Sequence, residues 1–140
     1  MRYLGLDLGT KSLGIALSDV THTIASSYQT LHFLENDFDT IFPVLKKIIE
    51  EQKIEKIVLG LPKNMNNTIG ESGIRCLDFQ KKLEKEFSLP VIMQDERLTT
   101  IEATKYMLEA DISRKKRKQK IDGLAANIIL QTYLDKEKGN

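Results

Sequence analysis

The sequence predicts an α/β fold, a mixed five-stranded sheet with helices packed on it, in the element order βββαβαβα. Three observations predict it. The first 34 residues read as strands broken by turn residues. The apolar spacing then shifts from steps of two to steps of three and four. Two short apolar runs, at 56–60 and 90–94, alternate with helical stripes from there on.

Each element has its own justification. Residues 3–8 alternate Gly5 and Asp7 with Leu4, Leu6 and Leu8, the period of a strand. Gly9, Thr10 and Lys11 make a tight turn, and residues 13–18 (LGIALS) form a second strand, so the two make a hairpin. Residues 24–33 supply a third strand. Phe38, Ile41, Phe42, Leu45, Ile48 and Ile49 recur at helical steps, with Pro43 suited to a first turn, where its missing N–H costs nothing. Residues 56–60 (KIVLG) are apolar without alternation, as in a strand buried on both faces. Pro62, three Asn and Gly70 make 61–70 a loop. Thr68 and Glu71 have capping-box spacing and open a helix striped with Cys76, Phe79, Leu83 and Phe87. Residues 90–94 form the fifth strand. Thr99 and Glu102 repeat the capping-box spacing before a short helix to about Ala110. A last helix runs from about Lys120 to Lys136, with Ile121, Leu124, Ala125, Ile128 and Thr132 as its stripe and a solvated basic loop before it.

A chain of 140 residues is expected to form one domain over 1–140, with a core that needs no staples. At 41% hydrophobic and 29% charged, it is neither disordered nor collagen-like. No apolar run approaches the ~18–20 residues that span a bilayer, and Asp7 falls where a signal peptide needs its apolar stretch. The one cysteine, Cys76, fits a reducing compartment. A cytoplasmic protein without membrane contact is expected.

The net charge of +1 conceals an asymmetry. Arg114, Lys115, Lys116, Arg117, Lys118 and Lys120 fill six of seven consecutive positions; without them 15 basic residues face 20 acidic ones. Such a run suits nucleic-acid phosphates. A solvated loop is the plain alternative.

Three acidic positions carry the chemical argument. Asp7 closes an apolar strand beside a glycine turn, where a buried carboxylate is costly unless paired, hydrogen-bonded or metal-bound. Ligands of open sheets gather at such carboxyl ends, although a turn-forming Asp would also fit. Asp95 and Glu96 close another apolar strand, with a local pair to Arg97 as the alternative. Asp122 begins an apolar helix, where a first-turn Asp also suits the helix dipole. Ala125 and Ala126, three and four residues on, let that face approach a sheet closely. Singly these signals are weak. Together they suggest convergent carboxylates of the kind that hold Mg²⁺ or Mn²⁺. Two such ions about 4 Å apart can activate water and stabilise the leaving oxygen in phosphodiester hydrolysis. Thr10, Lys11, Lys63, Arg97 and the basic run are candidate phosphate contacts. His22 and His32 lack the spacing of a zinc site and read as surface or strand residues. Ser18 and Cys76 show no activating base, and Cys76 falls on a core stripe.

The sequence resembles the YqgF family, also called RuvX-like. The resemblance rests on LGLDLGTKSLGIALSD (4–19), IVLGLPKNMN (57–66), DERLTT (95–100) and KIDGLAANIILQTYLD (120–135), and covers nearly the whole chain. It implies an RNase H-like fold and a divalent-metal nuclease in which Asp7, Glu96 and Asp122 are the catalytic metal ligands, with Asp95 a secondary candidate. Lys120, Arg75 and Phe79 also match family positions. Asn66 and Asn67 stand where relatives often carry Asp-Gly, and Gly123 stands where Ala is usual; neither change removes a proposed ligand. The implied substrate is the 5′ end of precursor 16S ribosomal RNA, alternatively a Holliday junction, with a pre-ribosomal particle as partner and a monomer or weak homodimer as the working state. Two other classes compete. Asp7-Leu8-Gly9-Thr10 also resembles the first phosphate loop of sugar kinases, actin and chaperone ATPases, but those need a second related domain. A nucleic-acid- or ribosome-binding module without turnover would use the basic run alone.

Overall fold

The computed structural model describes residues 1–35, 37–62, 70–95 and 114–138, with 114–124 described as backbone only. The strands are β1 (Arg2–Leu8), β2 (Ser12–Ser18), β3 (Ala25–His32), β4 (Ile54–Leu61) and β5 (Val91–Asp95). A 3-10 turn (Phe38–Ile41) leads into α1 (Phe42–Gln52); α2 is Glu71–Phe87 and α3 is Arg114–Glu137. The sheet order is β3-β2-β1-β4-β5. β1, β2 and β3 pair antiparallel, while β1–β4 and β4–β5 are parallel. The mixed five-stranded sheet with packed helices is therefore as the sequence predicts.

Strand alternation divides the core in two. Leu4, Leu6 and Leu8 of β1 face α1 and α2, meeting Leu45, Ile48, Cys76, Phe79 and Leu83. Tyr3 of β1 faces the other way, with Val58 and Ala16, against Ala126, Ile129, Leu130 and Leu134 of α3. Gly5 and Asp7 share Tyr3's face by the same alternation. Gly5 is what lets α3 settle: a Cβ added there would lie 2.7 Å from the Leu130 Cβ and 3.2 Å from the Ala126 carbonyl oxygen.

Several boundaries differ from expectation. Pro43 falls in the first turn of α1, as its missing N–H requires, but a 3-10 turn precedes it. β4 begins two residues earlier than the apolar run, because Ile54 is buried and pairs with Arg2. The N-cap of α2 is Gly70 in extended conformation, with no side-chain cap; Thr68 lies outside the described residues. β5 is displaced by one residue and takes in Asp95. The basic run is not a loop: α3 begins at Arg114. Lys and Arg are good helix formers, and 114–122 contains neither Gly nor Pro to stop the helix. The buried stripe of α3 is Ala125, Ala126, Ile129, Leu130 and Leu134, with Ile128 and Thr132 only half-buried. The predicted stripe was turned by about one residue, or 100°, because the helix rests on Gly5 through Ala126 and Leu130. The helix expected over 99–110 lies outside the described residues.

Candidate active site at the carboxyl end of β1

Asp7 is half-buried, one residue before the end of β1, directly opposite Gly14 of β2. The hairpin turn beyond it is closed by the Gly9 N–H donating to the Ser12 carbonyl at 2.8 Å. Thr10 is half-buried and Lys11 exposed at this tip, where the Phe33 N–H donates to the Lys11 carbonyl at 3.0 Å. This bond ties the tip to the residue that follows β3.

Two strands away, β5 ends with Gln94 beside Gly60 and Asp95 beside Leu61. Val91 and Met93 pack into the α1/α2 core. Alternation puts Asp95 on their face and Gln94 on the face of Asp7. Asp95 is thus turned to the opposite side of the sheet from Asp7. Glu96 follows it in sequence; Glu96, Arg97 and Lys63 lie outside the described residues. Asp122 lies in α3, one turn before Ala126. Arg114, Lys115, Lys116, Arg117, Lys118 and Lys120 occupy the first two turns of the same helix. Among the described residues no three His, Cys, Asp or Glu side chains gather into a metal-binding group. The described member of the predicted triad, Asp7, offers the hard oxygen donors that Mg²⁺ takes. It does so at a strand end with no side chain directly across from it on β2.

The discounted residues have structural roles. The Ser18 hydroxyl is fully buried, accepts from the Tyr3 N–H at 2.8 Å and donates to the Asp19 carbonyl at 2.9 Å. Cys76 is core. His22 stacks on Tyr3 with ring centroids 4.0 Å apart and lies 3.0 Å from Glu55. A groove of about 610 Å³ between α1 and α2 is lined by Asp39, Phe42, Lys46, Lys82, Lys85 and Glu86. It opens on the side of the sheet away from Asp7, and its charges are mixed, so it is no substitute for the β1 site.

Sequence reasoning missed a polar cluster at the other end of β1. Lys56 donates to Tyr133 at 2.9 Å and to Glu137 at 3.0 Å, and Tyr3 donates to Glu137 at 2.8 Å. Burial alone would lower the Lys56 ammonium, but the hydrogen bonds to Tyr133 and Glu137 outweigh it and raise it. Burial likewise raises the Glu137 carboxyl, yet Lys56 and Tyr3 bring it below its ordinary value. Gln131 adds a clamp, accepting from the Ala25 N–H and donating to the Thr23 carbonyl, both at 2.9 Å. The Asp19 carboxylate organises the β2–β3 loop: its bond from Thr21, and then those from the Ile24 and Thr23 N–H groups, hold it well below the usual carboxylate range. The Lys56, Tyr3 and Gln131 contacts fix the C-terminal half of α3 to the sheet, and they link residues more than 70 positions apart, for which one-dimensional spacing holds no signal. The Asp19 contacts are local, and Asp followed by Thr at such short spacing is a turn signal.

The comparisons with known proteins bear on the family and the fold. The family model described as RuvX, Holliday junction resolvase, matches residues 1–136. A protein of Thermoanaerobacter pseudethanolicus named "Putative pre-16S rRNA nuclease" is 49% identical over 139 residues, spanning 99% of each chain. A Bacillus subtilis protein of the same name is 50% identical over 135 residues, covering 96% of this chain and 98% of the relative. Among solved structures, T. thermophilus RuvC in complex with a Holliday junction substrate superposes with a TM-score of 0.63 at 15% identity. It covers 100% of this chain and 97% of that one. At that identity the likeness shows the fold, which is RNase H-like.

Proposed function

This chain belongs to the RuvX family, and from that premise we propose that it is a divalent-metal-dependent nuclease of one domain over 1–140, hydrolysing phosphodiester bonds at the carboxyl end of β1. The favoured substrate is the 5′ end of precursor 16S ribosomal RNA, in a cytoplasmic setting that includes the pre-ribosomal particle. Asp7, Glu96 and Asp122 are assigned as the ligands of Mg²⁺ or Mn²⁺.

One observation carries the assignment: the close seat of α3 on Gly5. Tyr3 lies at the Glu137 end of the helix and Gly5 lies against Leu130 and Ala126, so α3 runs opposite to β1. Asp7 is two residues beyond Gly5, about 7 Å along the strand. Asp122 is one turn before Ala126, about 6 Å along the helix in the same direction. The matched steps support a meeting of the two positions. Gln94 on the face of Asp7 supports Glu96, two residues on, in preference to Asp95.

When bound, the ions would activate the attacking water and stabilise the charge of the leaving oxygen. The chain's own groups do the rest. Asp7 holds the reacting centre against a rigid strand end. Thr10 and Lys11 at the hairpin tip and Arg97 after β5 are assigned to neutralise substrate phosphates. The first two turns of α3 supply backbone contacts that position the nucleic acid without reading its sequence.

The test is cleavage of a precursor-rRNA fragment compared with a four-way DNA junction, in Mg²⁺ and in Mn²⁺, with Asp7→Asn as control. Cleavage of the RNA that Asp7→Asn abolishes supports the reading. Preferential cleavage of the junction would support the second reading, favoured by the family description and by the fold shared with RuvC. Tight binding with no turnover in either metal would make the protein a binding module. Binding of ATP would reopen the kinase-like alternative.

A further inference from the structure

β3 carries a second feature on the face of Asp7. Leu31 and Phe33 turn into the core shared with α1 and α2. Alternation then puts Thr30 and His32 on the opposite face. Asp7 pairs with Gly14, Gly14 pairs with Thr30, and Ser12 pairs with His32. Thr30 therefore stands in the row of Asp7, with only a glycine between them. With strands ~4.8 Å apart, that row spans about 10 Å. His32 is exposed and Thr30 half-exposed, whereas farther along this face α3 buries Tyr3, Ala16, Ala25 and Val58. Lys11, exposed, is tied to the same end of β3 through the Phe33 N–H.

We propose that Thr30 and His32 form a phosphate-binding track that carries one strand of the nucleic acid from Asp7 across Gly14 to the edge of the sheet. The proposal rests on the nuclease reading and extends it to residues that play no part in the acidic cluster. The Thr30 hydroxyl and a ring N–H of His32 are donors suited to phosphate oxygens, and Gly14 has no side chain to stand in the row between them and Asp7. A row of about 10 Å is short, so the track holds phosphates close to the scissile bond and sets how far single-stranded substrate must extend. Contacts of this kind fix register and carry no base preference.

The same strand offers a control. Gln29 lies on the other side of the sheet, beside Val44, Lys47 and Glu51 of α1. Affinity for a fluorescein-labelled RNA stem-loop with a single-stranded 5′ extension would be read by anisotropy, with Ca²⁺ replacing Mg²⁺ so that binding is read without cleavage. Thr30→Glu and His32→Glu are expected to weaken binding at least tenfold, and Gln29→Glu by less than twofold. His32→Lys, which keeps a donor, is expected to bind at least as tightly as the unaltered chain. Unchanged affinity in Thr30→Glu and His32→Glu, or an equal loss in Gln29→Glu or His32→Lys, overturns the track. Failure of the nuclease reading is separately visible, as absence of turnover by the unaltered chain in Mg²⁺ and Mn²⁺, and failure of its site assignment as undiminished cleavage by Asp7→Asn.

Discussion

Lys56 and Glu137 show how single residues place the site from a distance, since they fasten the end of α3 opposite to the basic run. Glu137 is held below its ordinary value, so its contribution to stability is present above a pH of about 4.3 and is lost as the pH falls further. Lys56 is raised, so its contribution is complete below about pH 10.4 and is lost as the pH rises through the folded-state value. Glu137→Gln should cost about 1 kcal/mol at neutral pH, in keeping with a partly exposed pair. It should also shrink the fall in stability below pH 4.3, as read by urea titrations across pH. An acid limb identical to that of the parent chain would contradict the assignment. Asp7 raises a different expectation. Asp7→Asn keeps the shape of the side chain and removes its charge, so folding should persist while cleavage falls by at least roughly 100-fold, measured as single-turnover rate beside thermal unfolding.

At the scale of elements, the seat of α3 on β1 decides the most. Gly5→Ala puts a methyl group where the Leu130 Cβ already lies 2.7 Å away. Overpacking of this kind costs about 1–3 kcal/mol. The denaturation midpoint should fall with an unchanged m value, and cleavage should fall further than stability does, because α3 carries Asp122. A variant as stable and active as the parent would show that the helix sits elsewhere. The first two turns of α3 make a separate prediction. Replacing Lys115, Lys116, Arg117 and Lys118 with Gln should weaken nucleic-acid binding and flatten its dependence on salt, with little change in base preference. An unchanged salt slope would mean that the run is only solvated. Strands and hairpin were legible in the sequence because alternation and glycine turns are local signals. The face of α3 was not, because its rotation is set by a glycine more than 100 residues away in β1. The start of α3 was misread for a related reason: a charge run carries no apolar period, and the good helix propensity of Lys and Arg leaves no other mark.

For the whole molecule, the proposed site draws on two strand ends and one helix of a frame that the chain shares with RuvC. The position of Asp7 at the end of β1 was legible, since a carboxylate closing an apolar strand stands out against its neighbours. The choice of Glu96 over Asp95 was not legible in composition or spacing. It gains physical support only from the register of β5, which turns Asp95 toward the α1/α2 face. The Thr30–His32 row was invisible as well, because pairing across three strands has no counterpart in a linear pattern. The central claim is that Asp7, Glu96 and Asp122 grip cations together, and anomalous scattering from a crystal soaked in Mn²⁺ tests it most directly. Manganese peaks within roughly 2.5 Å of carboxylate oxygens from all three residues are the predicted result. Well-ordered side chains of the three residues standing apart, with manganese bound elsewhere or not at all, would contradict it.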